Sequence, residues 1–195
     1  HAPPLCASVR DQQQALFLYV FVAPCGALLL SSLRPWPAIR WIAAVASALL
    51  AALWFEHFFE PWKLERSLEL HALVILPVMA LPFARWRRHA PGVHELSLAG
   101  FAALHAALVV AAHCEPDHWA LAGKLFAGLA AFHGLLALVL GRAAPAWRPL
   151  ARAYQAIALA LIPAAATASF DGNPVTLVLC GQSALLAWIA SRQPA

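Results

Sequence analysis

The first long apolar stretch of the chain, Ala15–Leu33 (ALFLYVFVAPCGALLLSSL), decides the fold class. It contains no charged side chain, and a helix of about 20 such residues is long enough to cross the hydrocarbon core of a bilayer. Its apolar residues are continuous rather than alternating, which favours a helix over a strand of a membrane barrel. The stretch therefore predicts a membrane-spanning helix.

Six further stretches of the same kind follow, separated by short polar segments. The composition agrees, because 63% of the residues are hydrophobic and only 11% are charged, against roughly 45–50% and about 25% in soluble domains. We predict an all-α, polytopic transmembrane helical bundle of about seven helices, forming a single membrane domain over residues 1–195. The predicted spans are residues 15–33, 36–55, 68–84, 96–112, 119–140, 150–169 and 174–191.

The charged residues between the spans sort into two sets at alternate ends. One set is rich in arginine and contains Glu95 as its only acid: Arg34, Arg40, Arg85, Arg87, Arg88, Arg142, Arg148, Arg152 and Arg192. The other set holds most of the acids: Asp11, Glu56, Glu60, Glu65, Glu69, Glu115, Asp117 and Asp171, with Arg10, Lys63, Arg66 and Lys124. Positive residues collect on the cytoplasmic side, so we predict the N-terminus outside and the C-terminus in the cytoplasm.

The tryptophans give a second indication of where the membrane surfaces lie. Their rings prefer the headgroup level, and all of them fall at or near predicted span ends: Trp36, Trp41, Trp54, Trp62, Trp86, Trp119, Trp147 and Trp188. The net charge of +4 is then explained by arginines solvated at the lipid headgroups, and it does not indicate nucleic-acid binding.

Helices in lipid associate through small residues that allow close approach. Small residues recur every four positions on the second, fourth and fifth spans, and we predict packing ridges there: Ala43, Ser47 and Ala51; Ala99, Ala103 and Ala107; Gly123, Ala127 and Ala131. Prolines inside or near the ends of spans predict kinks at Pro24, Pro77, Pro82 and Pro163.

Polar side chains inside the spans are the functional candidates, because they are costly in lipid. His105, His133 and Gln182 fall near the middles of their spans. They suit either structural hydrogen bonds or a polar path for protons or a substrate. Glu69, His71 and Lys124 are nearer the outer surface. We expect them to act as anchors that reach the headgroups, with Glu69 pairing with Lys124 if the third and fifth spans touch.

Histidines and acids in two outer loops are weak candidates for a metal site, since imidazole and carboxylate are suitable ligands. These residues are His113, Glu115, Asp117, His118, His57 and Glu60. No HExxH motif or repeated histidine box joins them, so a solvated loop is the favoured interpretation. No catalytic residue and no cofactor is predicted. Cys6 and Cys114 both fall on the predicted outer side, where a disulfide between them is possible.

Two segments of the chain resemble the family of bacterial membrane proteins grouped as DUF2339. Residues 13–55 are similar to that family's unit of two helices joined by an Arg/Trp turn. Residues 153–193 are similar to a module in which an Ile-Pro helix leads through an Asp-Gly turn to a helix ending near a tryptophan, here Ile162-Pro163, Asp171-Gly172 and Trp188. The family's last helix usually carries an acid followed by glycine, where this chain has Gln182-Ser183.

The resemblance implies a multi-pass protein of the bacterial inner membrane, and it supplies no reaction. Family members are generally longer, so we expect this chain to be part of a longer protein. We predict a structural or interaction component whose partners are the lipid bilayer, further helices of the parent chain or other envelope proteins, and not nucleic acid. The alternatives are a transporter with a path through His105, His133 and Gln182 and a metal-dependent enzyme using the outer loops.

Overall fold

The computed structural model describes residues 5–34, 36–60, 63–84, 90–114, 118–170 and 175–183, with side chains from residue 15 onward. The regular elements of these residues are all helical, as the sequence predicts. The long helices are α1 (Leu5–Leu33), α2 (Pro37–Phe58), α3 (Leu64–Ala80), α4 (Val93–His113), α5 (Trp119–Ala143) and α6 (Arg148–Ser169). Short 3-10 helices, Leu81–Phe83 and Pro145–Trp147, adjoin α3 and α6.

Within the described ranges, 6 helices are long and apolar enough to cross a membrane. They coincide with the first six predicted spans, so the multi-pass architecture is confirmed. Of the predicted seventh span, residues 175–183 are helical, and its remaining residues lie outside the description. The count of seven therefore stays a prediction.

Several helices extend beyond the predicted spans. Helix α1 starts at Leu5 instead of residue 15, and α2 continues to Phe58 instead of residue 55. Apolarity marks only the part of a helix that suits lipid, whereas backbone hydrogen bonding continues into the polar flanks. Proline marks the N-terminal end of α2, where Pro37 occupies a position whose N–H would have no helical acceptor.

The predicted proline positions fall inside helices, with one exception. Pro24, Pro77 and Pro163 lie within α1, α3 and α6. Pro82 lies instead in the 3-10 helix that follows α3. Each helical proline lacks an N–H, which leaves the carbonyl four residues earlier without its usual donor.

The chain divides into two compact units, His1–Val109 and Val110–Ala195. The single membrane domain inferred from the sequence stays a prediction. One cluster in the first unit joins Ala27, Ala44, Val78 and Leu98, which come from four different helices. A second cluster surrounds Phe17, Val20, Trp54, Leu70 and Val74, and the rings of Phe17 and Trp54 meet edge to face at 5.0 Å. Trp54 is thus a core residue of the first unit.

In the second unit, α5 and α6 run antiparallel along a row of small residues. A Cβ atom added to Gly134 would meet Ala158 at 4.0 Å, and one added to Gly141 would meet Ala151 at 3.9 Å. At the other end of the row, a Cβ atom on Gly123 would collide with the Ser169 side chain. Glycine therefore brings the two backbones together at each end of this contact.

The small-residue ridges predicted on α2 and α4 are buried in large part. Ala43, Ser47 and Ala51 are all buried, as are Ala99 and Ala103, while Ala107 is half-buried. The ridge predicted on α5 is wrong, because Gly123 is buried but Ala127 and Ala131 are exposed. The face of α5 that contacts α6 is instead the one that carries Gly123, Gly134 and Gly141. The row of glycines that faces α6 follows the helical period more closely.

Large apolar side chains remain on the outside of both units. Leu18 and Ile42 in the first unit are 63% and 67% exposed, and Leu135 in the second is 60% exposed. A water-soluble protein rarely leaves such residues uncovered in this number. Their exposure fits helices that are surrounded by hydrocarbon.

Candidate functional site

Gln182 is bonded to the carbonyl that Pro163 leaves without a helical donor. In an uninterrupted α6, the N–H of residue 163 would donate to the carbonyl of Leu159. Proline has no N–H, and the Nε2 of Gln182 donates to the Leu159 oxygen instead, at 2.7 Å. This contact links the helical residues 175–183 to α6 within the second unit. This hydrogen bond explains why a glutamine occurs in an otherwise apolar segment.

The first unit contains a second contact of the same kind. Pro24 in α1 removes the donor to the carbonyl of Val20. Ser47 of α2 is 1% exposed, and its hydroxyl donates to the Val20 oxygen at 3.4 Å. This hydrogen bond is longer and weaker than that of Gln182. It again replaces a missing backbone donor with a side chain from a neighbouring helix.

His71 is buried between helices of the first unit, where the sequence predicts a side chain that reaches the headgroups. The residue is 1% exposed. Its Nδ1 lies 2.8 Å from the Ser67 carbonyl of its own helix, and its ring also bonds to the backbone of Ala51 in α2. The rings of Phe17 and Trp54 lie 5.3 and 6.0 Å away. His71 therefore joins α3 to α1 and α2 as part of the core.

The two deeper histidines lie in different units. His105, in the first, is 9% exposed, lies near Phe101, and is close enough to His71 for the two imidazoles to interact electrostatically. His133, in the second, is fully buried; its Nδ1 lies 2.7 Å from the Leu129 carbonyl, and its ring is 5.6 Å from that of Tyr154. Among the described residues, His105 Nδ1 and His133 Nε2 have no hydrogen-bond partner.

Arg40 forms a buried ion pair with Glu95 and is not a solvated anchor. Its Nη1 lies 2.7 Å from Glu95 Oε1, and the two side chains are 5% and 18% exposed. The other carboxylate oxygen of Glu95 accepts the N–H of Gly92 at 2.8 Å, which satisfies a free donor at the start of α4. The only acid on the arginine-rich side therefore neutralises the most deeply buried arginine described there and caps a helix.

The remaining anchor candidates are exposed. Glu69 forms an ion pair with Arg66 at 2.9 Å, one turn earlier on α3. Lys124 is exposed on α5, and its pairing with Glu69 stays a prediction. Surface pairs such as that of Glu69 and Arg66 contribute little to stability, about 0.2–1 kcal/mol.

Four of the six metal candidates lie within the described part of the chain. His57 is exposed and bonds to the Leu53 carbonyl of its own helix at 3.0 Å, and Glu60 pairs with Lys63 at 3.4 Å. His113 is buried, and His118 is half-buried just before α5. No group of three or more potential ligands occurs in the described ranges. Glu115 and Asp117 lie outside them.

Cys114 is a buried free thiol. Burial raises the pKa of this thiol, which keeps it protonated and poorly reactive at neutral pH. The predicted disulfide also involves Cys6, whose side chain lies outside the description.

Most of the buried polar groups either bond helix backbone, as Gln182, His71 and His133 do, or neutralise a neighbouring charge, as Glu95 does for Arg40. The sequence contains a signal for the Gln182 contact, because each helical proline identifies a carbonyl in need of a donor. It also contains a signal for the Arg40 pair, since Glu95 stands alone among arginines. Neither signal identifies the partner, because the two groups of each pair are far apart in sequence.

Replacing Gln182 should destabilise the protein only while Pro163 is present. We expect Gln182→Leu to lower the free energy of unfolding by about 1 kcal/mol, a typical strength for an interhelical hydrogen bond in a membrane. In a Pro163→Ala background the new N–H bonds to Leu159, so the same change should have little effect. Unfolding by sodium dodecyl sulfate in micelles, followed by circular dichroism, measures both losses. Ser183→Ala is the control, because the Ser183 hydroxyl donates to the Leu179 carbonyl of its own helix. Equal losses in both backgrounds would contradict this pairing.

Comparison with known proteins agrees with the fold described above. No curated protein and no solved structure matches the chain. One family model, described as predicted membrane protein (DUF2339), matches residues 1–195. This match covers the whole chain and confirms the resemblance seen in its two end segments. The chain therefore belongs to the DUF2339 family of predicted membrane proteins.

Proposed function

We propose that the chain is a structural or interaction component of the bacterial inner membrane whose deep polar residues hold its helices together. The bond from Gln182 to Leu159 carries this proposal. Gln182 is the most polar side chain of residues 175–183, and it supplies the hydrogen-bond donor that Pro163 removes from α6. A side chain committed to that carbonyl has one donor fewer for a substrate or a proton.

Two of the deep histidines also contact neighbouring helices. His71 of α3 bonds to the backbone of Ala51 in α2, and the ring of His133 in α5 lies 5.6 Å from that of Tyr154 in α6. His71 and His133 both place Nδ1 against the carbonyl one turn earlier in their own helices. A neutral imidazole has one N–H to donate. In His133 the Leu129 carbonyl accepts it when Nδ1 carries the proton; in His71 it is donated either to Ser67 or to Ala51. The aromatic rings beside both residues then fill the space around the imidazole.

The proposed orientation places the N-terminus outside and the C-terminus in the cytoplasm. Its support is the segregation of arginine to alternate ends of the spans. The burial of Arg40 leaves this pattern intact, because Glu95 neutralises Arg40 on the same side and the other arginines of that set still outnumber the acids.

Single cysteines introduced by Arg87→Cys and Asp117→Cys, in a chain whose own cysteines are replaced by serine, test this orientation. A membrane-impermeant maleimide added to intact bacterial cells should label the cysteine at position 117. The cysteine at position 87 should react only after the membrane is permeabilised. Equal reaction of both cysteines in intact cells would contradict the orientation.

Proton uptake into reconstituted vesicles separates the structural role from the transporter alternative. We expect the purified chain to give uptake no faster than empty vesicles under an imposed potential. His133→Leu should lower the unfolding midpoint, because His133 is fully buried and its ring packs against Tyr154 of α6. The proposal would be contradicted if the unsubstituted chain took up protons and His133→Leu abolished this uptake without lowering the unfolding midpoint. That result would favour a proton path. Metal bound in proportion to the purified protein, and lost on His118→Ala, would favour the enzyme alternative.

A further inference from the structure

A groove lies between α5 and α6 in the second unit, with a volume of about 470 Å³. One wall comes from α5, at Gly134, Ala137 and Gly141. The other comes from α6 and contains Arg148, Arg152 and Gln155. We call this feature the α5–α6 groove. Leu159, whose carbonyl accepts the hydrogen bond of Gln182, also lines the groove. The polar side chains of the α6 wall belong to none of the contacts described above.

The floor of the groove is apolar and is shaped by small residues. Near Gly134 and Gly141, the facing groups on α6 are the methyl groups of Ala158 and Ala151. Larger residues at these four positions would fill the groove. The distance along α6 from Ala151 to Ala158 is about 10 Å at the helical rise per residue. The groove therefore has room for part of an extended hydrocarbon chain.

The α6 wall carries positive charge at one end of the groove. Arg148, Arg152 and Gln155 follow one another at helical spacing, so they share one face of α6. Both arginines are exposed. In the described part of the chain neither has an ion-pair partner.

The start of α6 adds to this positive potential. Its first turn contains no acidic residue, although acids are the residues that stabilise the positive end of a helix dipole. Arg148 lies in this first turn, where a positive charge is unfavourable unless an anion lies beside it, and Arg152 follows one turn later. Thus an apolar groove between two helices ends at a basic patch that no acid of the described residues neutralises.

We propose that the α5–α6 groove binds one anionic phospholipid, with the headgroup phosphate at Arg148 and Arg152 and an acyl chain along the small-residue floor. Arginine forms paired hydrogen bonds to phosphate oxygens, and Gln155 offers a further amide donor. A soluble anion would satisfy only the basic end, whereas a lipid matches both the charge and the apolar floor. Basic pockets between membrane helices at the headgroup level are suited to such lipids.

Native mass spectrometry of the full chain, titrated with phosphatidylglycerol or phosphatidylcholine in detergent, measures this binding. We expect one phosphatidylglycerol to remain bound and phosphatidylcholine to bind more weakly. Arg148→Gln with Arg152→Gln should weaken phosphatidylglycerol binding about 30-fold, as expected for two basic groups near the membrane surface. Arg142→Gln is the matched control, because Arg142 is exposed in the last turn of α5 and does not line the groove. It should leave this binding unchanged.

A second variant tests the apolar part of the site independently of charge. Ala137→Leu should fill the floor and weaken lipid binding, while inorganic phosphate at millimolar concentration should not displace the lipid from the parent chain. Circular dichroism confirms that each variant is folded. Three results would overturn the proposal. Arg142→Gln could weaken phosphatidylglycerol binding as much as the double arginine variant does, or the two lipids could bind equally well. The third is unchanged lipid binding in both the double arginine variant and Ala137→Leu. Displacement of the lipid by millimolar inorganic phosphate would also overturn the proposal, because it would show that the site recognises the anion and gains nothing from the acyl chain. None of these outcomes bears on the bond between Gln182 and Leu159.

Discussion

A backbone carbonyl inside a bilayer needs a hydrogen-bond donor, and proline removes the one that a helix supplies. Water can replace that donor in a soluble protein, but hydrocarbon cannot. Here a side chain of a neighbouring helix replaces it, at Leu159 through Gln182 and at Val20 through Ser47. Proline thus creates a specific point of attachment between helices that otherwise present alanine, leucine and valine to one another. Such points matter because lipid gives helices no hydrophobic reason to associate.

Charge is handled in two different ways at the ends of the helices. Arg40 is removed from solvent and neutralised by Glu95, which also caps α4. Removing one partner of a buried pair is strongly destabilising, since it leaves the other charge uncompensated. Arg148 and Arg152 instead remain exposed beside an apolar groove. Arginine therefore has two roles in this protein: Arg40 takes part in internal packing, whereas Arg148 and Arg152 can bind an anion from outside.

The sequence predicts the helical architecture well, because the length and continuity of apolar runs respond directly to bilayer thickness. It predicts helix ends less well, as Leu5 and Phe58 show, since polar residues extend a helix beyond the hydrocarbon. For the deep polar residues it leaves structural hydrogen bonds and a polar path open, and it identifies no partner: Gln182 bonds to Leu159, 23 residues earlier. Depth along a span also says nothing of the direction a side chain faces. His71 is therefore buried where a surface anchor was expected, and Ala127 and Ala131 are exposed where a packing ridge was expected.

The hydrogen bond accepted by the Leu159 carbonyl can be observed directly by infrared spectroscopy. A ¹³C=¹⁸O label at that carbonyl separates its amide I band from the rest of the protein. A carbonyl that accepts a hydrogen bond absorbs at lower frequency than a free one. The account predicts that Gln182→Leu raises the frequency of the Leu159 band, while the band of a label at Ala158 is unaffected. An unchanged Leu159 band would show that Gln182 does not supply the donor that Pro163 lacks, and would contradict the account.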